Sequence, residues 1–466
     1  MVVSHLKSYQ NNMSGHQKYE ELRTKHPEFC YQSFKFEWRA HHLYIEFDFR
    51  LGNQYSFHPH HEIALPVDFN ADSIPKEELD LLVFHLGMME LISYWKAACS
   101  PRLKIKCFEL NKDQINWWKK LYFNGLGEFF YLNDIQTNQN EFMEIVCEDG
   151  KQMLPPFHLN TQENIIVPIG GGKDSVVSLE LLKQTPNRII PFVVNPRGAS
   201  RESIINAGFK EKDALYSKRS IHPQLLELNQ RGFLNGHTPF SAMLAFLSLI
   251  TARLTQSKYI ALSNESSANE ASIVGTNINH QYSKSFEFEE DFRYYYKKYI
   301  CKDFEYFSFL RPLSELQIAC LFSQHPQHFN SFKSCNVGSK ENKWCGSCPK
   351  CLFTYIMLSP FIPQQQMQHF FGKQLLNDEK LKPILLQLRG KAETKPFECV
   401  GTIEEVDMAL HHAEESYYQE SLMQEMEKSE SKDLLMKALK EWNPIHAVPK
   451  DLELFLKKKL ESCWSF

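Results

Sequence analysis

Two stretches near the start of the chain, 34–40 and 43–49, alternate apolar and polar residues with a period of two, which predicts a pair of half-buried strands. Leu51-Gly52-Asn53 is a turn signal that can close a further hairpin onto them. Residues 77–98 carry apolar side chains at Leu79, Leu82, Val83, Leu86 and Met89, the spacing of one helical face. A strand over 103–108 and a second helix over 111–123 follow, and Asn124-Gly125-Leu126-Gly127 breaks that helix. Residues 1–30 are polar and are expected to be flexible, ahead of an α+β domain over 31–155. The stretch 152–162, with Pro155-Pro156, reads as a linker.

From Asn164 the pattern changes. Residues 165–169 are an unbroken apolar run, as expected of a strand buried on both faces, with Pro168 at its end. A glycine loop and a helix follow, then further buried strands over 189–194 and 259–262. This alternation predicts an α/β fold with a doubly wound parallel sheet over 160–362. After Pro363 the chain is helical and charge-rich, so 363–466 is expected to be a helical C-terminal region with solvated outer faces.

Composition changes this picture little. The chain has 466 residues, 43% hydrophobic and 23% charged, long enough for two or three domains. Its net charge of −4 implies no broad basic field, so no nucleic-acid partner is expected. The longest apolar runs, such as 242–251, are too short to span a bilayer, so no membrane association is expected. The opening MVVSHLKSYQNN lacks a basic segment followed by an apolar core, and a cytoplasmic location is the expectation. His58, His60 and His61 flank a proline in a turn-like stretch and are read as turn residues rather than metal ligands.

The chemistry concentrates at Gly170-Gly171-Gly172-Lys173-Asp174-Ser175, between a buried strand and a helix. There an α/β sheet binds phosphates on backbone N–H groups at a helix N-terminus. Asp174 supplies a hard oxygen for Mg²⁺ and Ser175 a hydroxyl for a phosphate. The loop is neither a Walker A motif, since Lys173 precedes Asp174, nor a dinucleotide fingerprint. Asn195, at the end of the next strand, is a candidate ribose or adenine contact.

Twelve cysteines are present, and Cys335, Cys345, Cys348 and Cys351 form C-x9-C-x2-C-x2-C. Four thiolates at these separations can close a tetrahedron around Zn²⁺ and can also hold an iron–sulfur cluster, with zinc favoured. Such a site has no open coordination position, so its role would be structural. The other eight cysteines are read mostly as small buried side chains. Polar clusters around 237–241, 263–270, 279–285 and 311–315 suggest a small substrate bearing carboxylates. Lys284 and Arg311 are candidate carboxylate clamps, and His237, His280 and Glu315 candidate acid–base groups.

The glycine loop resembles the Ser-Gly-Gly-x-Asp-Ser loop of the ATP-pyrophosphatase (PP-loop) superfamily, departing from it at Gly170, where a hydroxyl residue is usual. Loop and cysteine knuckle together resemble the 7-cyano-7-deazaguanine synthase family, QueC. A narrower set of stretches resembles the MurL family of UDP-N-acetyl-α-D-muramoyl-L-alanyl-L-glutamate epimerases. These are LISYWKAACSP (91–101), LYFNGLGEFFY (121–131), VPIGGGKDSVVSLELL (167–182), LSNESSANE (262–270), NHQYSKSFEFE (279–289), FLRPLSEL (309–316), the knuckle, and KPFECVGTIEE (395–405). The MurL resemblance implies a PP-loop fold and a UDP-sugar peptide substrate. ATP with Mg²⁺ would adenylate the terminal L-glutamate, its Cα would invert, and D-glutamyl product, AMP and diphosphate would leave. On that reading the loop (170–175) holds ATP, Asp174 binds Mg²⁺ and the cysteines hold a structural metal. It assigns no acid–base pair, and Cys399 is one position open to that role. The alternatives are another PP-loop enzyme, adenylating a deazapurine acid or thiolating tRNA, and a non-catalytic ATP-binding protein.

Overall fold

The computed structural model describes residues 15–67, 69–269, 282–392, 394–424, 426, 428 and 433–465. Eleven strands lie in one sheet. They are β1 (Glu28–Arg39), β2 (His42–Leu51), β3 (Tyr55–Phe57), β4 (His60–Ala64), β5 (Arg102–Ile105), β6 (Glu144–Cys147), β7 (Gln162–Pro168), β8 (Ile189–Val194), β9 (Leu215–Ser220), β10 (Ser257–Leu262) and β11 (Glu305–Ser308). Their order is β11-β10-β7-β8-β9-β4-β2-β1-β5-β6, with β3 paired to β2.

The first five in that order pair in parallel. So do β1, β5 and β6 at the other end. Antiparallel β4 and β2 join the two blocks. The sheet is therefore mixed and mostly parallel, and it runs without interruption through the antiparallel strands expected from the 34–49 alternation.

Helices cover both faces because the buried strands are apolar on both sides. In β7, Ile166 faces a core built with helices Lys76–Trp95 and Phe240–Leu254, while Ile165 and Val167 face one built with helices Lys173–Leu182, Glu315–Ser323 and Pro349–Leu358. Pro168 closes β7, where its missing N–H costs no ladder bond. Asn111 caps helix Lys112–Gly125 in a capping box with Gln114, which sets the start of that helix.

The structure differs from sequence expectation in several places. Residues 15–25, expected to be flexible, form a helix: Tyr19 is buried, and Arg23 Nη1 donates to the carbonyls of Cys99 (2.6 Å) and Phe142 (2.8 Å). These contacts come from distant segments, so no local period announces them. Strand β9 is mostly polar and β6 has only four residues, so neither carries a readable alternation. Cys320 and Cys463, read as small apolar side chains, are joined in a disulfide that ties the C-terminal turn to helix Glu315–Ser323. Among the described residues no helix is long and apolar enough to cross a membrane.

His61, read as part of a turn, lies in β4 opposite Arg219 of β9, at the seam between the two blocks. Glu90, from helix Lys76–Trp95, bridges the pair. Its carboxylate accepts from Arg219 Nη2 (2.7 Å) and Nε (2.9 Å) and lies 3.0 Å from His61 Nε2. Burial opposes the charge on Glu90, but Arg219 and His61 outweigh it and hold the carboxyl at about 2. Glu90→Ala leaves a guanidinium without its partner in the core and is expected to cost about 3–5 kcal/mol, read as a lower urea midpoint. The depressed value also fixes a pH dependence. The wild type's advantage over Glu90→Gln should be constant above the ordinary value of 4.5 and shrink as pH falls toward about 2.

Candidate active site

Chain direction places the site. β7 ends at Pro168, and the loop 169–172 turns directly into helix Lys173–Leu182, whose N-cap is Gly172. Gly171 has φ +88°, and a Cβ there would lie 2.7 Å from Ser200 N and 2.8 Å from Ala199 C. Only glycine fits so close an approach. At Gly170, by contrast, an added Cβ would meet nothing within 4 Å, so the loop is open on that side. Ser175 Oγ accepts from Gly171 N (3.2 Å) and donates to Gly172 O (3.0 Å), fixing the curve of the loop.

Lys173 does not point outward. Its ammonium is buried between the carboxylates of Asp174 and Glu315. Burial works against its charge, but those two carboxylates more than offset it and hold Lys173 above the ordinary lysine range. Glu315 opens helix Glu315–Ser323 after the Ser314 cap, and its backbone N–H donates to Glu405 Oε1 at 2.7 Å. Glu405 is itself the third residue of helix Ile403–His411, in a capping box with Thr402. Three helix N-termini are thus linked through Lys173, Glu315 and Glu405. Burial, together with the neighbouring Asp174, Glu265 and Glu405, pushes Glu315 up to about 8 despite the pull of Lys173. Glu405 is also raised, chiefly by burial.

Lys284 ends the turn Tyr282–Lys284, and its Nζ donates to Cys399 Sγ at 3.1 Å. Burial opposes its charge, while Cys399, Glu265 and Asp174 raise it above the ordinary range. Lys173 and Lys284 therefore lie among Asp174, Glu265, Glu315 and Glu405, with more acids than cations.

The remaining candidates divide. Arg311 is fully buried and donates to the backbone oxygens of Glu265 (2.6 Å) and Lys284, with Glu289 Oε2 at 3.4 Å. It positions the segments bearing Glu265 and Lys284 and is not available as a carboxylate clamp. His237 Nδ1 lies 3.8 Å from Glu128 Oε2, on helix Gly127–Leu132, whose Tyr131 packs against Phe397 (5.5 Å). His280 lies outside the described residues. Asn195 has φ +51°, and its Oδ1 accepts from Arg219 N at 2.8 Å. It lines a cavity of about 440 Å³ with Arg197, Tyr216 and Ser217. The hydroxyls of Tyr216 and Ser217 are buried with no hydrogen-bond partner among the described residues.

The four knuckle cysteines place their sulfurs within 4.8 Å of one another, with pairs at 3.5, 3.7 and 3.9 Å. Thiolates about 2.3 Å from one tetrahedral ion have edges of about 3.8 Å. The set can hold a single ion; a cubane cluster, which puts each thiolate on a different iron, needs wider spacing. The knuckle braces the glycine loop directly: Lys333 N donates to Gly171 O at 2.8 Å, and Ser334 Oγ lies 2.9 Å from where a Gly172 Cβ would be. Farther along, Asn342 Nδ2 donates to Glu202 Oε1 at 2.9 Å. Glu265, inside the polar cluster 263–270, and Glu405, at the end of the stretch 395–405, were given no individual role from the sequence. Thr402-x-x-Glu405 is visible as a capping box, but a cap signals a helix start and not a site.

The MurL N-terminal domain matches residues 20–309, and the MurL C-terminal domain matches residues 331–440. A Micromonospora protein named UDP-N-acetyl-alpha-D-muramoyl-L-alanyl-L-glutamate epimerase is 36% identical over 327 residues, 68% of this chain and 71% of its own. Proteins of the same name from Xanthomonas oryzae pv. oryzae and Salinispora tropica are each 34% identical, each match covering 68% of this chain and 70% of theirs.

The two adjacent glycines should respond differently to one methyl group. Gly171→Ala, strained at positive φ and against the Ala199–Ser200 backbone, should cost about 1–3 kcal/mol of unfolding free energy. Gly170→Ala should stay within about 0.5 kcal/mol of wild type in the same denaturation experiment.

Proposed function

The chain belongs to the MurL family and is an epimerase, and on that premise we propose that it inverts the terminal L-glutamate of UDP-N-acetylmuramoyl-L-alanyl-L-glutamate at the expense of ATP, as a step in peptidoglycan precursor synthesis. The observation that carries this reading is the glycine loop closed on helix Lys173–Leu182, with Asp174 and Lys173 at its mouth and Glu315 behind them. It supports a PP-loop mode of ATP binding. The triphosphate lies on the loop N–H groups and the helix end. The Asn195 cavity, with its unpartnered Tyr216 and Ser217 hydroxyls, suits the purine and ribose.

Inversion needs activation because a free carboxylate adjoining Cα resists a second negative charge. An oxygen of the α-carboxylate attacks the α-phosphorus of ATP and diphosphate leaves. The resulting mixed anhydride carries no carboxylate charge, so the Cα proton is far more acidic. Proton removal, return from the opposite face and hydrolysis then give the D-glutamyl product and AMP. Mg²⁺ held through Asp174 supplies charge neutralisation for the phosphates. Lys284 offers the cation for the substrate carboxylates, and Lys173 and Glu315 keep Asp174 oriented. Cys335, Cys345, Cys348 and Cys351 would hold Zn²⁺, whose role would be structural, keeping segment 333–345 against the loop.

Incubation with ATP, Mg²⁺ and UDP-N-acetylmuramoyl-L-alanyl-L-glutamate should release AMP and diphosphate and yield D-glutamate after acid hydrolysis. Asp174→Ala should lower both outputs by about a hundredfold or more. AMP release without inversion moves the reaction to a different acid. A folded, zinc-loaded sample giving neither product rejects the assignment. Metal analysis should find one zinc per chain, and Cys348→Ser should lose it together with most ATP-dependent turnover.

A further inference from the structure

Of the twelve cysteines, four converge in the knuckle, Cys320 and Cys463 are bonded, and Cys99 and Cys301 are buried in the core. Cys399 is partly exposed, as are Cys30, Cys107 and Cys147, but differs from them in that its sulfur takes a hydrogen bond from a lysine ammonium, that of Lys284, at 3.1 Å. Its segment is pinned at several points. Lys395 Nζ donates to Gly401 O at 2.9 Å, Glu398 accepts from Asn336, and Phe397 packs on Tyr131. Lys284 is pinned too, since Arg311 donates to its carbonyl. The pair is therefore preorganised at the edge of the acid cluster.

We infer that Cys399 is the base that removes the Cα proton of the activated glutamate, and that Lys284 positions and ionises it; this rests on the adenylation reading above. A lysine ammonium in contact favours the thiolate, which is the reactive form. Lys284 Nζ is the charged group in contact with the sulfur; Lys284 itself feels Glu265 and Asp174, and the neighbouring Glu398 carboxylate accepts from Asn336. The 3.1 Å contact with the Lys284 ammonium is what sets this thiol apart as a base. In the step itself the thiolate takes the Cα proton and forms S–H, and the C–H electron pair passes to the acyl oxygen as an enolate. Water, which the site must admit to hydrolyse the anhydride, protonates the opposite face. The thiol returns its proton to the hydroxide left behind, so no net proton is consumed.

The test separates proton transfer from activation. In D₂O, wild type should incorporate deuterium at Cα of the D-glutamyl product. Cys399→Ala and Cys399→Ser should keep substrate-dependent AMP release within a few fold. Both should lose Cα exchange and inversion by about 10²–10⁴-fold. Iodoacetamide alkylation, mapped to Cys399 by peptide mass spectrometry, should stop inversion in the wild type. Its pH midpoint should rise in Lys284→Met, a shift that a purely structural cysteine would not show. Inversion at the wild-type rate in Cys399→Ala overturns the inference. If that variant fails to fold, full inversion by wild type alkylated at Cys399 overturns it equally. Wild type that releases no AMP with this substrate sinks the adenylation reading instead, and this inference with it.

Discussion

Lys173 is 2% exposed, and a buried ion without partners loses several kcal/mol of hydration. Its burial is tolerable because two carboxylates close on it. Asp174 comes from the next residue, but Glu315 must be delivered from 142 residues further along the chain. Glu315 in turn is held by Glu405, a further 90 residues on. One charge that cannot be left alone therefore fixes the helices Lys173–Leu182, Glu315–Ser323 and Ile403–His411 end to end. The site follows from that fixing.

Within its own segment only the Ser175 hydroxyl holds the glycine loop. It has three glycines and no side chain reaching into the core between Ile169 and Lys173, so its own sequence specifies its shape weakly. Stiffness comes from outside, through Lys333 and Ser334, which immediately precede the first knuckle cysteine. Four thiols gathered within 4.8 Å lie close enough to share one ion, and an ion there would transmit rigidity to the loop across two residues.

The apolar runs at 165–169, 189–194 and 259–262 were readable as strands because burial on both faces leaves a continuous hydrophobic signature. The glycine loop was readable because strand, glycines and helix are contiguous. β4 and β9 were not, since their order in the sheet depends on a buried Glu90–Arg219–His61 contact that no local pattern encodes. The same limit applies at the site. Lys173, Asp174 and Glu315 could be singled out individually, but the crowding that pushes Glu315 up to about 8 exists only once Glu265 and Glu405 arrive. Arg311 illustrates the converse: its residue type suggested a clamp, and its full burial among backbone carbonyls makes it a brace.

Two buried charge clusters in this molecule make a useful contrast. At the sheet seam Glu90 meets a bidentate guanidinium and an imidazole, and the Ser93 hydroxyl accepts from the same guanidinium, so its charge is matched and its carboxyl is held at about 2. At the loop, Asp174, Glu265, Glu315 and Glu405 gather about Lys173 and Lys284, and there a carboxyl is raised instead of lowered. The first arrangement is complete without any ligand and serves the fold. The second is left with more acid than base, and relief requires protons or a cation. A fold that balances one buried cluster yet leaves the other unbalanced, beside an open glycine loop, has placed its electrostatic cost where binding can offset it.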